Sequence, residues 1–515
     1  MKSLGKGIAV LALAIMGTGC MASQNSLKTD MAEIATLQEA GSLQLADERT
    51  RELLQRDGLS AEERRSLEYE LERSRRIRMD YRVTRERLWE IVSEGVEGVT
   101  KEEFEGWLAE GRFDRKVVDG EERFVGPSLA NLFFRHHELA PRRVRKPSSR
   151  WDQFLVRHAR TTIEETSRTN TDTASPQHFR INFRNTVKAG QVPEGETIRC
   201  WMVYPQQFAS QSAVVLESVS PEPVWINGPA YPARSIYFEQ PSKGNAPTTF
   251  EATYTVTTQA RRVAIDPDRV AAADQAGAET AWFLREQPHV EFTPELRALA
   301  ASITGSETNP AIKARLIYDW VGANIDYSYA REYSTLRNIS MYCYQNGYGD
   351  CGQITLLYMT LCRIAGVPAR WQSGWVIYPE DQNLHDWCEI WLAPYGWVPV
   401  DPNYGVFFSS PRSAGLPDSD RAMLRDFYFG GLDAYRLVVN RDHAFPHYPA
   451  KSDFRSDNVD FQRGELEAGG RNLYFDQFGY NLELEILEEQ GGEPEAEGER
   501  QARAEIGPGT PGRER

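Results

Sequence analysis

Cysteine is scarce. Six occur in 515 residues, and no two stand as a C-x-x-C pair. That excludes a disulfide-built scaffold, a zinc ribbon and a thioredoxin-type redox motif. Excess positive charge is lacking too: lysine and arginine total 59 against 74 acidic residues, a net charge of −15. An overall acidic chain is not a phosphate-backbone binder, so no nucleic-acid partner is expected. Histidines number only eight, and His136-His137 and His443 to His447 have no partner ligands at metal spacing. They read as surface histidines, with no metal site. No EF-hand-like calcium loop and no long internal repeat is present. Long apolar runs are also missing. The one candidate, Ile8 to Met16, is far shorter than the roughly 20 residues that cross a bilayer. What is present is ordinary for a folded protein: 41% hydrophobic and 26% charged residues. At roughly 100–200 residues per domain the length accommodates three or four domains.

The apolar run follows Lys2 and Lys6 and precedes Gly17-Thr18-Gly19-Cys20. This reads as a signal peptide over 1–19. Small residues before a cysteine resemble the lipobox of bacterial lipoproteins, with Gly17 where leucine is usual. The resemblance implies lipidation at Cys20 and an exported protein, periplasmic or at the cell surface, held at a membrane surface by acyl chains. A plain signal cut near Ala22 is the other reading.

Residues 27–147 read as a helical stalk with a small hairpin. Between 61 and 90 there are nine arginines and eight acidic residues, so the helix is salt-bridged and solvated. Ser60 with Glu63, and Thr100 with Glu103, are capping boxes. Asp119-Gly120 predicts a tight hairpin. Phe179 to Phe183, Thr197 to Tyr204 and Phe250 to Val256 are β-rich and Gly/Pro-punctuated, which predicts an antiparallel β-sandwich over 151–270. From 285 to 450 the texture is mixed. Ala311 to Asn324 reads as a helix with Ile312, Leu316, Ile317, Trp320 and Val321 on one face, and Cys351 to Ala365 as a second, stopping before Gly366-Val367-Pro368. Trp371 to Tyr378, Trp387 to Leu392 and Trp397 to Val400 read as strands, their tryptophans mostly sheet core. The expected arrangement is α+β. A C-terminal β extension over 451–488 and a disordered tail over 489–515 complete the chain.

One cysteine stands apart. Gly349-Asp350-Cys351-Gly352 places Cys351 at the start of a helix, where the positive end and free N–H groups favour thiolate. His385 leads one strand and Asp401 ends the next. On neighbouring antiparallel strands the two can lie side by side, Asp401 fixing the imidazole tautomer. This is nucleophile, base and orienter for acyl transfer. The Cys351 backbone N–H is one oxyanion donor. Gln345, six residues upstream at a spacing that resembles papain-like proteases, is a candidate for the second, with Tyr342, Tyr344 and Tyr348 competing. Cys343 and Cys388 could form a disulfide, subject to geometry.

Three blocks resemble the transglutaminase-like superfamily: Gly349 to Arg370; His385-Asp386-Trp387-Cys388-Glu389-Ile390-Trp391; and Gly396 to Pro402. Asp386 departs from the alanine of many members. The resemblance implies a papain-like α+β catalytic core with a Cys351–His385–Asp401 triad and no cofactor; in the chain this core follows the antiparallel β-sandwich and the N-terminal helical region, the latter outside the resemblance. It implies a thiol-dependent enzyme acting on peptide or glutamine amides of a protein or peptide substrate, as a protease, amidase or transglutaminase. The rival expectation is a catalytically silent cell-envelope scaffold with a vestigial domain. Oligomeric state has no signal in the sequence.

Overall fold

The computed structural model describes residues 27–145, 150–270, 277, 280–379, 381–413 and 415–487. The expected signal segment 1–19, Cys20 and the expected tail 489–515 lie outside the described residues. The chain divides into two units, one ending at Leu132 and one beginning at Phe133.

In the first unit, helices 27–40, Leu43–Leu54, Ala61–Asp80, Arg85–Gly95 and Lys101–Ala109 precede a hairpin, Arg115–Val118 with Glu121–Phe124. The local signals act as physics requires. Glu63 N–H donates to Ser60 Oγ at 3.1 Å, and Ser60 N–H to Glu63 Oε2 at 2.8 Å. Asp119 and Gly120 adopt φ of 50° and 91° at the hairpin turn, the left-handed pair that matches strand twist. The charged helix is not the solvated rod of a stalk. Glu70, Arg73, Ser74 and Arg76 are buried on it with Leu67 and Ile77, and Leu67 packs with Ile34, Ala46 and Leu53. Long arginine stems contribute apolar surface that a charge count misses. Among the described residues, no helix is long and apolar enough to cross a membrane.

The second unit is built on a two-sheet sandwich. In one sheet, Thr173–Val187 lies between Thr248–Arg262 and Phe478–Leu487, and Gln211–Ser220 pairs with the far side of Thr248–Arg262. In the other, the order is Arg471–Leu473, Glu465–Ala468, Thr197–Val203, Ser235–Pro241, Trp225–Ile226. Burial alternates residue by residue along Thr248–Arg262, the period of a strand with one face in a core. Phe179, Ile181, Tyr254 and Phe250 from one sheet meet Ile198, Met202 and Phe238 from the other. The sandwich therefore does not close at residue 270. Strands that the sequence suggests as a separate extension complete both of its sheets. The first-unit boundary also falls earlier than 147: Phe134 packs against Tyr327 and Tyr329 of the second unit, ring centroids 5.1 Å apart.

Between the two sets of sandwich strands the chain builds a four-stranded antiparallel sheet, in the order Gly396–Val400, Asp381–Leu392, Ala369–Tyr378, Arg436–Asn440. Trp371, Cys388, Ile390 and Val398 face the helix Cys351–Ile364. Trp375, Trp387 and Leu437 share the sandwich core. Trp371 and Trp387 are core residues, as expected. The strand Arg436–Asn440 carries no signal as strong as its neighbours, yet all five of its residues are buried. It comes so close to Gly374 that a Cβ there would sit 1.8 Å from the Leu437 carbonyl oxygen, an approach only glycine permits.

The helix Cys351–Ile364 is buried on every side from Cys351 to Arg363, enclosed by the sheet and by helices Pro294–Thr304, Pro310–Asn324, Ile339–Asn346 and Pro402–Ser409. A helix buried all round, here with Gln353, Thr355, Thr360 and Arg363 among its buried residues, marks the centre of a fold. On Pro310–Asn324 the buried stripe is Ala311, Ala314, Ile317, Tyr318 and Val321. Ile312 and Leu316 are exposed, so the inward face is rotated from the expected one: the small alanines permit close packing.

Candidate active site

Asp350 caps the buried helix. Its Oδ1 accepts the Gln353 N–H at 3.0 Å and the Tyr333 hydroxyl at 2.8 Å. Cys351 is the first helical residue, where the backbone N–H has no intrahelical partner. The residue is only 9% exposed. The thiol donates to Asp386 Oδ2 at 3.3 Å.

His385 and Asp401 meet. His385 Nε2 lies 2.7 Å from Asp401 Oδ2. Asp401 ends the Gly396–Val400 strand and caps the next helix, its Oδ1 accepting the Tyr404 N–H at 3.0 Å. The Cys388↔Val400 register brings the two strands together there. The imidazole is buried between Trp387 and Tyr404, ring centroids 5.8 and 5.2 Å away. With Nε2 engaged by the carboxylate, Nδ1 is the ring nitrogen left for another partner.

No hydrogen bond joins Cys351 to His385 among the described residues. Strand alternation gives the reason. Residues 385 and 387 point toward the sandwich side and residues 386 and 388 toward the buried helix, so Asp386 is the side chain that reaches the sulfur. The structure thus brings two of the three singled-out side chains, His385 and Asp401, into contact and places the third, Cys351, against Asp386 on the strand's other face.

Electrostatics separate the two halves of the site. Burial alone would lift the Asp401 carboxyl, but His385 and Arg436 outweigh it and hold it below the usual carboxylate range. Burial lowers the His385 imidazole, with Asp401 opposing. The Cys351 thiol is pushed well up, first by burial and then by the Asp386 and Asp350 carboxylates. The expected thiolate-favouring helix terminus is thus overridden, by burial first and by two acidic neighbours after it.

Arg436 is the main residue that sequence reasoning missed. Its Nη1 donates to Asp401 Oδ2 at 2.7 Å and its Nε to Asp433 Oδ2 at 2.8 Å, all three side chains buried. Two carboxylates and one guanidinium leave a net negative charge that an imidazolium at His385 would balance. Removing the cation leaves two uncompensated buried carboxylates. Arg436→Met is expected to lower unfolding free energy by about 3–5 kcal/mol, the usual loss when one partner of a buried ion pair is removed, as read from denaturant midpoints. The Asp-x-x-Arg spacing was visible, but its strand and its distant partner were not.

Gln345 is exposed near the end of Ile339–Asn346, while the Tyr333 hydroxyl lies against Asp350 and Asp386, at 2.8 and 3.3 Å. Two other expectations are corrected. The Cys343–Cys388 disulfide is not formed: all five described cysteines are free. Cys388 Sγ donates to the Val400 carbonyl at 3.5 Å, and Cys343 faces Gly349 from the neighbouring helix. His443 and His447 are buried, not surface histidines; Trp371 and Phe461 pack against them.

Residues 297–402 match the Transglutaminase-like superfamily, so this stretch is a transglutaminase-like domain within a mixed α+β fold. An "Uncharacterized protein" of Haemophilus influenzae is 25% identical over 204 residues, covering 32% of this chain and 52% of that protein. "Uncharacterized protein YebA" of Bacillus subtilis is 26% identical over 186 residues, covering 32% of this chain and 25% of that one. The chain therefore spans about half and a quarter of the length of these two curated relatives. Among solved structures, a "Putative Cysteine Protease from Cytophaga hutchinsonii" is 17% identical at a TM-score of 0.39, covering 62% of this chain and 94% of that one. The periplasmic domain of TgpA from Pseudomonas aeruginosa is 17% identical at a TM-score of 0.26, covering 50% of this chain and 98% of that one.

Proposed function

We propose that this chain, with its transglutaminase-like domain at 297–402, is a thiol-dependent acyl-transfer enzyme acting on amides of a protein or peptide. The observation that carries the reading is the buried His385–Asp401 pair at 2.7 Å, one residue along the strand from the carboxylate that touches Cys351 Sγ. Catalytic hydrogen bonds often tighten only when substrate is bound. Reaction requires Sγ to leave Asp386 and come within reach of His385 Nδ1.

The chemistry then balances simply. Sulfur attacks the carbonyl carbon while its proton passes to His385 Nδ1. Asp401 holds the ring by Nε2–H and balances the imidazolium. The oxyanion faces the Cys351 N–H at the helix start. Collapse breaks the C–N bond, His385 returns its proton to the departing amine, and a thioester remains on Cys351. Water resolves it to an acid, giving a protease, amidase or deamidase; an amine resolves it to a new amide, giving a transglutaminase. Bacterial members of the resembled superfamily are often suspected hydrolases, and hydrolysis is the reading taken here. An exported location, with lipid on Cys20, rests on the sequence of the first twenty residues.

One observation favours the rival reading of a silent envelope scaffold: the thiol is engaged by Asp386 rather than by the imidazole. Incubating a cell-envelope extract with the protein and with Cys351→Ala separates the two. Cleaved, deamidated or crosslinked peptides, seen by mass spectrometry only with the unaltered protein, support the enzyme. Identical peptide sets support the scaffold.

A further inference from the structure

Asp386 stands at the sulfur, and the surrounding structure is arranged to hold it there. Gln462 Nε2 donates to Asp386 Oδ1 at 2.8 Å and to the His385 carbonyl at 2.9 Å. The Tyr333 hydroxyl reaches Oδ2 at 3.3 Å, and Thr355 Oγ1 the Asp386 carbonyl at 3.4 Å. Space is reserved for the carboxyl on the nucleophile's own helix: a Cβ on Gly352 would lie 2.7 Å from Oδ2. The groups facing Asp386 are Cys351 and Asp350 from the helix start, Tyr333 from the preceding loop, and Asp460 and Gln462 from the C-terminal segment. Asp460 is itself held by Ser373, Asn440 Nδ2 at 2.8 Å and the Phe461 N–H at 2.7 Å, with Asp457 behind it. No ion pair of Asp386 occurs among the described residues. A buried carboxylate without a cation, packed against other carboxylates, is a strong proton acceptor.

We propose that Asp386 is a catalytic residue acting as a brake: ionised, it holds Cys351 as a neutral thiol turned from His385, and on taking up a proton it frees the sulfur to form an ion pair with the imidazole. The proposal rests on the reading of Cys351 as nucleophile. In the braked state the charges are carboxylate, thiol and neutral imidazole. A thiolate formed beside that carboxylate would add a second negative charge in a dry site. Once Asp386 carries a proton, the thiol proton passes to His385 Nδ1 and the carboxyl O–H can donate to the thiolate. One proton is taken up by the carboxyl and one moves from sulfur to nitrogen; no other reactant is needed. Asp386 is displaced well above the usual carboxylate range by burial, by Asp460 and by Asp350, and Asp460 is raised to about 6 by burial and Asp457. Release therefore does not wait for the acidity at which an ordinary exposed carboxyl takes up its proton.

The test is the rate of Cys351 alkylation by iodoacetamide against pH, read peptide by peptide in the full chain, for the unaltered protein, Asp386→Asn and Asp460→Asn. The unaltered protein is expected to alkylate slowly near neutral pH with a faster acid-side shoulder. Asp386→Asn should lose the shoulder and react about tenfold faster near neutral pH, the equivalent of one pKa unit. Asp460→Asn removes the like-charged neighbour, so its shoulder should move to lower pH. Should Asp386→Asn fail to fold, the Asp460→Asn profile alone decides. Coincident profiles overturn the brake. If Cys351→Ala is inactive on substrate while the profiles coincide, the brake falls and the nucleophile stands; if Cys351→Ala stays active, both fall.

Discussion

Cys351→Ala is expected to reduce turnover by on the order of a millionfold, the loss seen when a covalent nucleophile is removed from a cooperating set. Among the described residues, no other thiol can substitute. Cys200, Cys343, Cys362 and Cys388 are fully buried, Cys343 and Cys362 sit in the helical core, and Cys388 donates to a backbone carbonyl. The fold should not change. Asp386 keeps Gln462 and Tyr333 as partners, and one small side chain is removed from the start of a helix capped by Asp350. The thermal midpoint should move by no more than a few degrees, about what 1 kcal/mol produces in a chain of this size or smaller. Unchanged turnover with an unchanged midpoint would show that the reacting group lies elsewhere.

The second large effect belongs to Asp401→Asn. A drop in kcat of about ten-thousandfold is expected, because an amide cannot enforce the tautomer or balance the imidazolium. Asparagine can still cap the Pro402–Ser409 helix by accepting the Tyr404 N–H, so the loss would be chemical rather than structural. Arg436 complicates the charge balance in an instructive way. With Asp401 neutral, the guanidinium retains Asp433, and the imidazolium would face a cation without an intervening carboxylate. The acid limb of stability should change as well. The Asp401 carboxyl is lowered in the folded chain, so its stabilising contribution is complete above the unfolded value of about 3.9 and is lost as pH falls through the folded value. Asp401→Asn should flatten that part of the stability curve, measurable by denaturant titration at successive pH values.

The local grammar of the site was readable. Asp350 as cap, the helix from Cys351, its stop before Pro368 and the pairing of the His385 and Asp401 strands all follow from spacing and from residues with few conformational options. Side-chain alternation was readable too in principle: residues 385 and 386 must point to opposite faces, so a helix packed on one face meets only one of them. What the sequence withheld was long-range. Arg436 sits 35 positions after Asp401, on a strand recognisable only by its complete burial. Gln462 and Asp460 enter from a segment that looks like an appendage. The charged helix of the first unit hides its core face in the sequence, because buried arginine stems add apolar surface that net charge does not register.

The sandwich strands are interrupted by the whole transglutaminase-like domain, and this fixes an order in time. As the chain emerges from the ribosome, Thr173–Val187 finds one neighbour in Thr248–Arg262. Its other edge stays bare until Phe478–Leu487 is made. At about 5–20 residues per second, that wait is on the order of ten to fifty seconds. A bare edge of fifteen residues invites pairing with another nascent chain. Newly made copies are therefore most vulnerable to clumping until Phe478–Leu487 emerges, and a stop codon between Arg262 and Phe478 would make that vulnerability permanent.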